Sequence, residues 1–505
     1  MPGGSALLQR LLGHPAERPM VHDQGRGVTR TYGDLNVLSA QVARQLLEGR
    51  TSLEGARVAV LVPPSSAFIA ALVGIWRAGG VAVPLSAAHP PPELEHVPRT
   101  ATPDATVVSS ELGVKLEGVI GAGRRVTSPD PSERQIAGPG DPLDAEVTDA
   151  SPALMLFTSG TTGKPKGVVL SHAGVAATLR ALHEAWRWRD DDRLLHALPL
   201  YHTHGLIVAL LGALWAGASI EFAGGTFDAA AIWQAFGRAT VFMAVPTMYV
   251  RLLDTFTAAS VADRGRWAQD ARALRLATSG SAALPATVLQ RFADATGQTL
   301  LERYGMTEIG MALSNPFDGP RIAGTVGVPL PQVSVDIVDE HGAPVADGIA
   351  GELRVRSPQL FVGYHGDPRA TVASYDDLGR FRTGDTGLRD RHGHVRLLGR
   401  TSVDILKSGG EKLSALEIEA ALAEHPAIAE LAVIGVPDPV WGDCVTACVV
   451  LRPDATLTLE ALRAWARDRL APYKLPRALR VLPALPRNPM GKVQKNLLAA
   501  GGATS

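Results

Sequence analysis

Two cysteines in 505 residues, Cys444 and Cys448, are too few to staple a secreted scaffold. They stand four positions apart in an apolar stretch, so both are expected to be buried core thiols in a reducing cytoplasm. Aromatic residues make up only 5% of the chain and the net charge is −1. Nothing in those totals points to nucleic acid or to a membrane surface as partner. The chain lacks an opening with basic, apolar and cleavage-site regions, so no signal peptide is expected. It also lacks an apolar run of bilayer length. The longest uncharged one, residues 206–220, is too short to span and is expected to be a buried helix. Lysine is scarce as well. Of 49 basic residues only eight are lysine, yet Lys164, Lys166, Lys407, Lys412 and Lys492 all fall within distinctive motifs. A compact ammonium on a flexible stem suits reaching a phosphate or a carboxylate.

What is present is an ordinary globular composition, 46% apolar and 20% charged, long enough for two to four domains. Residues 57–63, 67–77 and 80–85 read as strand, helix and strand, the βαβ unit of a parallel sheet. The pattern recurs at 194–198, 205–215 and 219–222, and again at 241–245, where Pro246 opens a helix. This predicts a large α/β domain with ligand loops at the strand ends. Residues 100–150 look like an irregular surface stretch. From 324 to 399 short strands and turn signals predict a small β-rich subdomain. Beyond Arg400 the pattern becomes mixed α and β, so the expected division is 1–400 and 401–505.

The most informative segment is Thr158-Ser159-Gly160-Thr161-Thr162-Gly163-Lys164-Pro165-Lys166-Gly167, between apolar runs at 153–157 and 168–170. Glycines let a backbone approach a ligand, hydroxyls donate hydrogen bonds and lysines neutralise anions. Such a loop after a strand can hold phosphate oxygens. Its spacing is not that of a Walker loop, since two residues separate Gly160 from Gly163-Lys164 and Pro165 follows. A polar turn between strands is the plain alternative, although a turn needs no paired lysines.

This segment resembles the phosphate loop of the AMP-forming acyl-CoA synthetases. Further motifs follow in that family's order and carry the resemblance through residue 492. The run Glu302-Arg303-Tyr304-Gly305-Met306-Thr307-Glu308 matches the second core motif. By resemblance it borders the nucleotide, with Tyr304 on adenine, Thr307 on phosphate and Glu308 helping to hold Mg2+, a hard cation that takes carboxylate ligands. Ser279-Gly280-Ser281-Ala282-Ala283 resembles the loop framing adenine and one side of the acyl pocket. Arg382-Thr383-Gly384-Asp385 and Gly399-Arg400 resemble the ribose contacts, a carboxylate being suited to a diol. The segment 402–404 lies at the family's interdomain hinge, and Ser408-Gly409-Gly410 resembles the loop approached by coenzyme A. Gly491-Lys492 matches the C-terminal lysine motif, which implies that Lys492 bridges the substrate carboxylate and the α-phosphate; Lys495 stands close by. The resemblance implies an ATP-dependent ligase that forms an acyl adenylate and passes the acyl group to coenzyme A.

Acid selectivity is expected from Tyr201-His202-Thr203-His204-Gly205, 246–253, 279–283 and 306–311. His202, Thr203, Ser281 and Arg251 would make this lining polar. Thr247 and Arg251 share a helix face, and if that face meets the pocket Arg251 could pair a second carboxylate. An exposed arginine on an amphipathic helix is the equal alternative. The 302–311 run, with 314–319, 201–205 and 401–410, resembles the malonyl-CoA synthetases, which implies a small dicarboxylate, malonate or methylmalonate, as substrate. Thr203 and Met306 would then border the α-substituent, with His202 or Arg251 on the distal carboxylate; His202 is also a candidate for the reaction itself. Two other ligases stay open, one for short or medium monocarboxylates and one loading a carrier protein. A nucleotide-binding protein without turnover is the remaining rival.

Overall fold

The computed structural model describes residues 4–23, 27–86, 91–113, 124–130, 145–158, 165–409, 411–487 and 493–499. They form two compact units. One comprises residues 1–334 and 355–381, the other 335–354 and 382–505.

Two sheets build the larger unit. Strand Arg57–Leu61, helix Ser66–Arg77 and strand Val81–Pro84 are the expected βαβ unit, with Arg57 opposite Val81 in parallel register. Ser65 caps the helix through the Phe68 amide, and all twelve helical residues are buried. A helix apolar on every side can only sit in a core. Gly74 faces helix Tyr32–Leu47, where a Cβ would stand 2.8 Å from the Ser39 carbonyl. The seven-stranded sheet runs, by position in the sheet, Gly363–Tyr364, Lys166–Ser171, Pro152–Thr158, Val81–Pro84, Arg57–Leu61, Ala105–Val108 and Arg124–Thr127. The last two pair in parallel and belong to the stretch expected to be irregular. Ala105–Val108 is buried throughout, too short an apolar run to stand out among its Pro, Asp and Gly neighbours.

The nine-stranded sheet places Leu301–Met306, Leu276–Ser279, Val241–Ala244, Arg193–His196 and Ser219–Phe222 side by side in parallel. Its loops at 201–204 and 279–285 leave from the strand C-termini. The apolar run expected to be one buried helix is buried, but it opens as a π-helix, His204–Leu211, before the α-helix Gly212–Ala216. A Cβ on Gly205 would lie 2.1 Å from the Pro199 carbonyl, and His196 Nε2 lies 2.8 Å from the Gly205 carbonyl oxygen. These contacts press on the first turn, and hydropathy cannot register them. Among the described residues no helix is long and apolar enough to cross a membrane.

The smaller unit holds a four-stranded sheet, Ser334–Val338, Gly351–Arg356, Phe381–Arg389 and Val395–Arg400, whose first and second strands straddle the unit boundary. It also holds a five-stranded sheet built around the hairpin of Ile428–Asp438 and Gly442–Leu451. Helices Ala415–Leu422 and Leu459–Ala466 contribute Ile418, Leu422, Leu462 and Ala466 to a core with Val433, Val445 and Val449. Cys448 is buried here, but Cys444 is only half-buried; both are free thiols.

Candidate active site

The site in the larger unit is built on a β-hairpin, Leu301–Met306 with Gly310–Ser314. Its register slips between Tyr304 and Gly305, and the bulge re-aims the turn that carries Thr307 and Glu308. Gly305 has no room for a side chain, since a Cβ would fall 2.1 Å from the Gly310 carbonyl. Gly310, at φ +65°, closes the turn. Tyr304 and Glu308 are buried, whereas Met306 is half-buried.

Two loops converge on this hairpin. Thr203 Oγ1 donates to Thr307 Oγ1 at 3.1 Å, joining the 201–205 segment to the turn of the hairpin. His204 Nδ1 lies 3.2 Å from Ser281 Oγ. Ser281 is held at φ +68°, an uncommon setting for a residue with a Cβ and one that clusters at functional sites. Ser281 and Ala282 are exposed, and Gly280 is buried. His202 is half-buried, with its ring centroid 4.2 Å from that of Tyr201.

Behind the 279–284 loop lies Arg303, 4% exposed. A Cβ on Gly280 would stand 2.4 Å from Arg303 Cζ, so this glycine exists to let the guanidinium pass. Nε and Nη2 of Arg303 are buried without a hydrogen-bond partner among the described residues. Burial pushes its pKa down to about 10. His204 is buried too, its Nε2 is unpartnered, and burial followed by the charge of Arg303 holds its pKa well below the usual histidine value. His204 is therefore neutral at pH 7. Glu302 points the other way along the strand and accepts from the Leu284 amide at 2.8 Å. Burial raises its pKa to about 7.

Arg251, expected as the cation for a distal carboxylate, has a different setting. On helix Pro246–Ala258 it is exposed together with Thr247, while Met248, Tyr249, Leu252 and Leu253 face the core. Its guanidinium donates to the Phe227 carbonyl at 2.9 Å and lies 4.8 Å from the Phe227 ring. The cation buried against the Ser281 loop is Arg303, which the motif had assigned to the nucleotide. Arg303 and His204 are the residues the sequence left without this role. The available signal was a charged pair, Glu302-Arg303, inside a strand that follows the apolar Leu300-Leu301.

The strands that flank the expected phosphate loop, Pro152–Thr158 and Lys166–Ser171, pair antiparallel with Thr158 opposite Lys166. Ser159, Gly160, Thr161, Thr162, Gly163 and Lys164 lie outside the described residues, as do Gly410 and Lys492.

In the smaller unit Asp385 is directly opposite Arg400, with Arg400 Nε 3.1 Å from Asp385 Oδ1. Arg400 also donates to the Thr383 carbonyl at 2.7 Å. Ser408 is buried, and the Gly409 amide donates to the Trp441 carbonyl at 2.9 Å. The Trp441 ring is 41% exposed and has Arg477 Cζ 3.6 Å from its centroid. That platform beside Gly409 was not singled out in the sequence. Lys495 is committed elsewhere, to Asp404 at 2.6 Å and Glu419 at 2.7 Å. It is therefore not a free alternative to Lys492.

Two family patterns match the chain: AMP-binding enzyme over residues 8–365 and AMP-binding enzyme C-terminal domain over 417–492. A malonate–CoA ligase from Bos taurus, ACSF3, mitochondrial, is 40% identical over 94% of this chain and 86% of its own length. ATP-bound MatB from Rhodopseudomonas palustris superposes with a TM-score of 0.88 at 35% identity, covering 99% of both chains. A malonyl-CoA ligase in a ternary product complex with methylmalonyl-CoA and AMP superposes with a TM-score of 0.68 at 38% identity, covering 96% of this chain and all of that one. With both patterns in place along the chain and similarity over nearly its whole length, this protein belongs to the AMP-binding enzymes.

Proposed function

We propose that the chain is an AMP-forming malonate–CoA ligase that also accepts methylmalonate. In the first step the malonate carboxylate attacks the α-phosphorus of ATP, giving malonyl adenylate and pyrophosphate. In the second the thiol of coenzyme A attacks the acyl carbon and AMP leaves. The observation that carries the choice of acid is Arg303, a buried guanidinium with two unpartnered nitrogens beside His204 and Ser281. A buried cation without a partner is costly, and an entering carboxylate supplies both the charge and the acceptors. Arg303, with Ser281 and neutral His204, would hold the distal carboxylate, while Thr203 and Met306 border the α-substituent. This takes the anchoring role from Arg251 and leaves His202 to face the reacting end.

For the nucleotide, the 158–164 loop would cradle the phosphates, Tyr304 would stack on adenine, and Asp385 with Arg400 would take the ribose. Lys492 would bridge the substrate carboxylate and the α-phosphate. Coenzyme A would pass Ser408, Gly409 and Gly410, and its charged nucleotide end suits the aromatic–cation pair of Trp441 and Arg477. Among the described residues no cluster of three or more acidic, histidine or cysteine side chains could hold a metal. A single buried carboxylate, Glu308, beside the Thr307 hydroxyl fits Mg2+ that takes most of its ligands from phosphate and water. When bound, that ion neutralises polyphosphate charge. The cytoplasm is the proposed compartment, and cell fractionation decides between it and an organelle.

ATP–pyrophosphate exchange tests the proposal with malonate, methylmalonate, acetate and butyrate as the acids. Malonate should lead, and coenzyme A should then release AMP. Butyrate outrunning malonate would overturn the dicarboxylate reading. Transfer to a carrier protein but not to free coenzyme A would overturn the thiol assignment.

A further inference from the structure

Residues 359–367 form a strap bonded to both sheets of the larger unit. Toward the nine-stranded sheet, Gln359 Oε1 accepts from the Met311 amide at 2.9 Å and the Phe361 amide donates to the Glu308 carbonyl at 2.9 Å. Tyr364 OH donates to Glu308 Oε1 at 3.0 Å. Toward the seven-stranded sheet, Val362 and His365 donate to the Val169 and Gly167 carbonyls, each at 2.8 Å. Tyr364 stands opposite Val168, one strand beside the base of the phosphate loop. Lys166 Nζ lies 5.0 Å from the centroid of the Tyr364 ring and 3.2 Å from Asp367 Oδ2. One tyrosine thus meets Glu308 with its hydroxyl and Lys166 with its ring.

We propose that Tyr364 is a positioning residue for the cation–polyphosphate site, an inference that rests on the nucleotide reading above. A phenol that donates to one oxygen of a buried carboxylate fixes the direction in which that carboxylate faces, and the bond is charge-assisted. The face of the same ring holds the Lys166 ammonium. Loss of such an outer partner of a metal ligand costs about 10- to 100-fold in metal affinity.

The test is Tyr364→Phe, which keeps the ring and removes the hydroxyl. Mg2+ is titrated at fixed ATP without malonate, and nucleotide binding is followed by calorimetry, so no turnover enters the readout. The half-saturating Mg2+ concentration should rise about 10-fold, while the melting temperature, the KM for malonate and ATP binding without Mg2+ stay unchanged. In a Glu308→Gln background the same change should add no further shift. A Mg2+ curve that overlays the wild type, or an equal shift in the Glu308→Gln background, would overturn the positioning role. If the wild-type protein binds no ATP with Mg2+, the nucleotide reading itself fails, and that result is distinct from the other two.

Discussion

Arg303 and Arg251 carry the same guanidinium into opposite settings. Arg251 rides the outer face of helix Pro246–Ala258, its charge in water and one hydrogen bond on Phe227. Arg303 sits in strand Leu301–Met306, with two nitrogens unpartnered and a glycine opposite in place of a side chain. Water can solvate the first at little cost. The second makes the ligand-free fold carry an unmet demand for an anion, and such stored cost marks functional sites. Charge alone therefore says little about a role; the deficit of partners says much more.

The largest expected effect comes from removing that deficit. Arg303→Met should lower malonate kcat/KM at least about 100-fold, by the cost of truncating a buried charge partner. ATP binding should persist. The ligand-free protein should melt no lower than wild type, because an apolar side chain removes an uncompensated buried charge. A malonate kcat/KM unchanged in differential assays would break the contrast outright.

Glu302, the strand neighbour of Arg303, should show the next effect, as a dependence on pH. Burial raises its folded pKa from the ordinary 4.5 to about 7. The folded protein therefore binds the proton more tightly than the unfolded chain. The associated stability is present below the unfolded value and is lost as pH rises through 7. The full difference amounts to about 3 kcal/mol. Glu302→Gln keeps an acceptor for the Leu284 amide and cannot ionise, so its melting temperature should gain on wild type between pH 5 and pH 8. Parallel melting curves across that range would show that Glu302 is not held protonated.

Ser281→Ala removes a hydroxyl from the loop that Arg303 supports. It should cost about 10-fold in malonate kcat/KM, the scale of one hydrogen bond to a charged group, and leave butyrate turnover in the same assay alone. Equal losses for both acids would move Ser281 from the distal carboxylate to the common nucleotide site. The smallest effect is expected from Arg251→Ala, less than about 3-fold in malonate kcat/KM, as for exposed substitutions in general. A loss as large as that of Arg303→Met would reverse the comparison.

The sequence made the architecture legible wherever one period or one motif governed a stretch. The βαβ unit at 57–84 and the helix opened by Pro246 both follow from local patterns. At the site, a motif by itself suggested roles for Thr307, Glu308 and Asp385. Arg303 was read as a nucleotide residue because it stands inside such a motif. Its partner deficit depends on Gly280, more than twenty positions away. The same holds for His204, whose contact is Ser281, and for Trp441, whose ring gains significance only beside Gly409 and Arg477. In each case the deciding neighbour is distant in sequence, and no local pattern encodes it.

The π-helix at His204–Leu211 has a consequence for how acid preference can drift. A π-turn holds one residue more than an α-turn for nearly the same rise, so it behaves as an insertion absorbed within a single element. Losing one residue there would rewind the segment to an ordinary helix without moving the helix Gly212–Ala216 that follows. It would also swing His204 about a quarter turn around the axis, away from Ser281. Pocket chemistry in this protein can thus be rewritten by a change in chain length, with no exchange of one side chain for another.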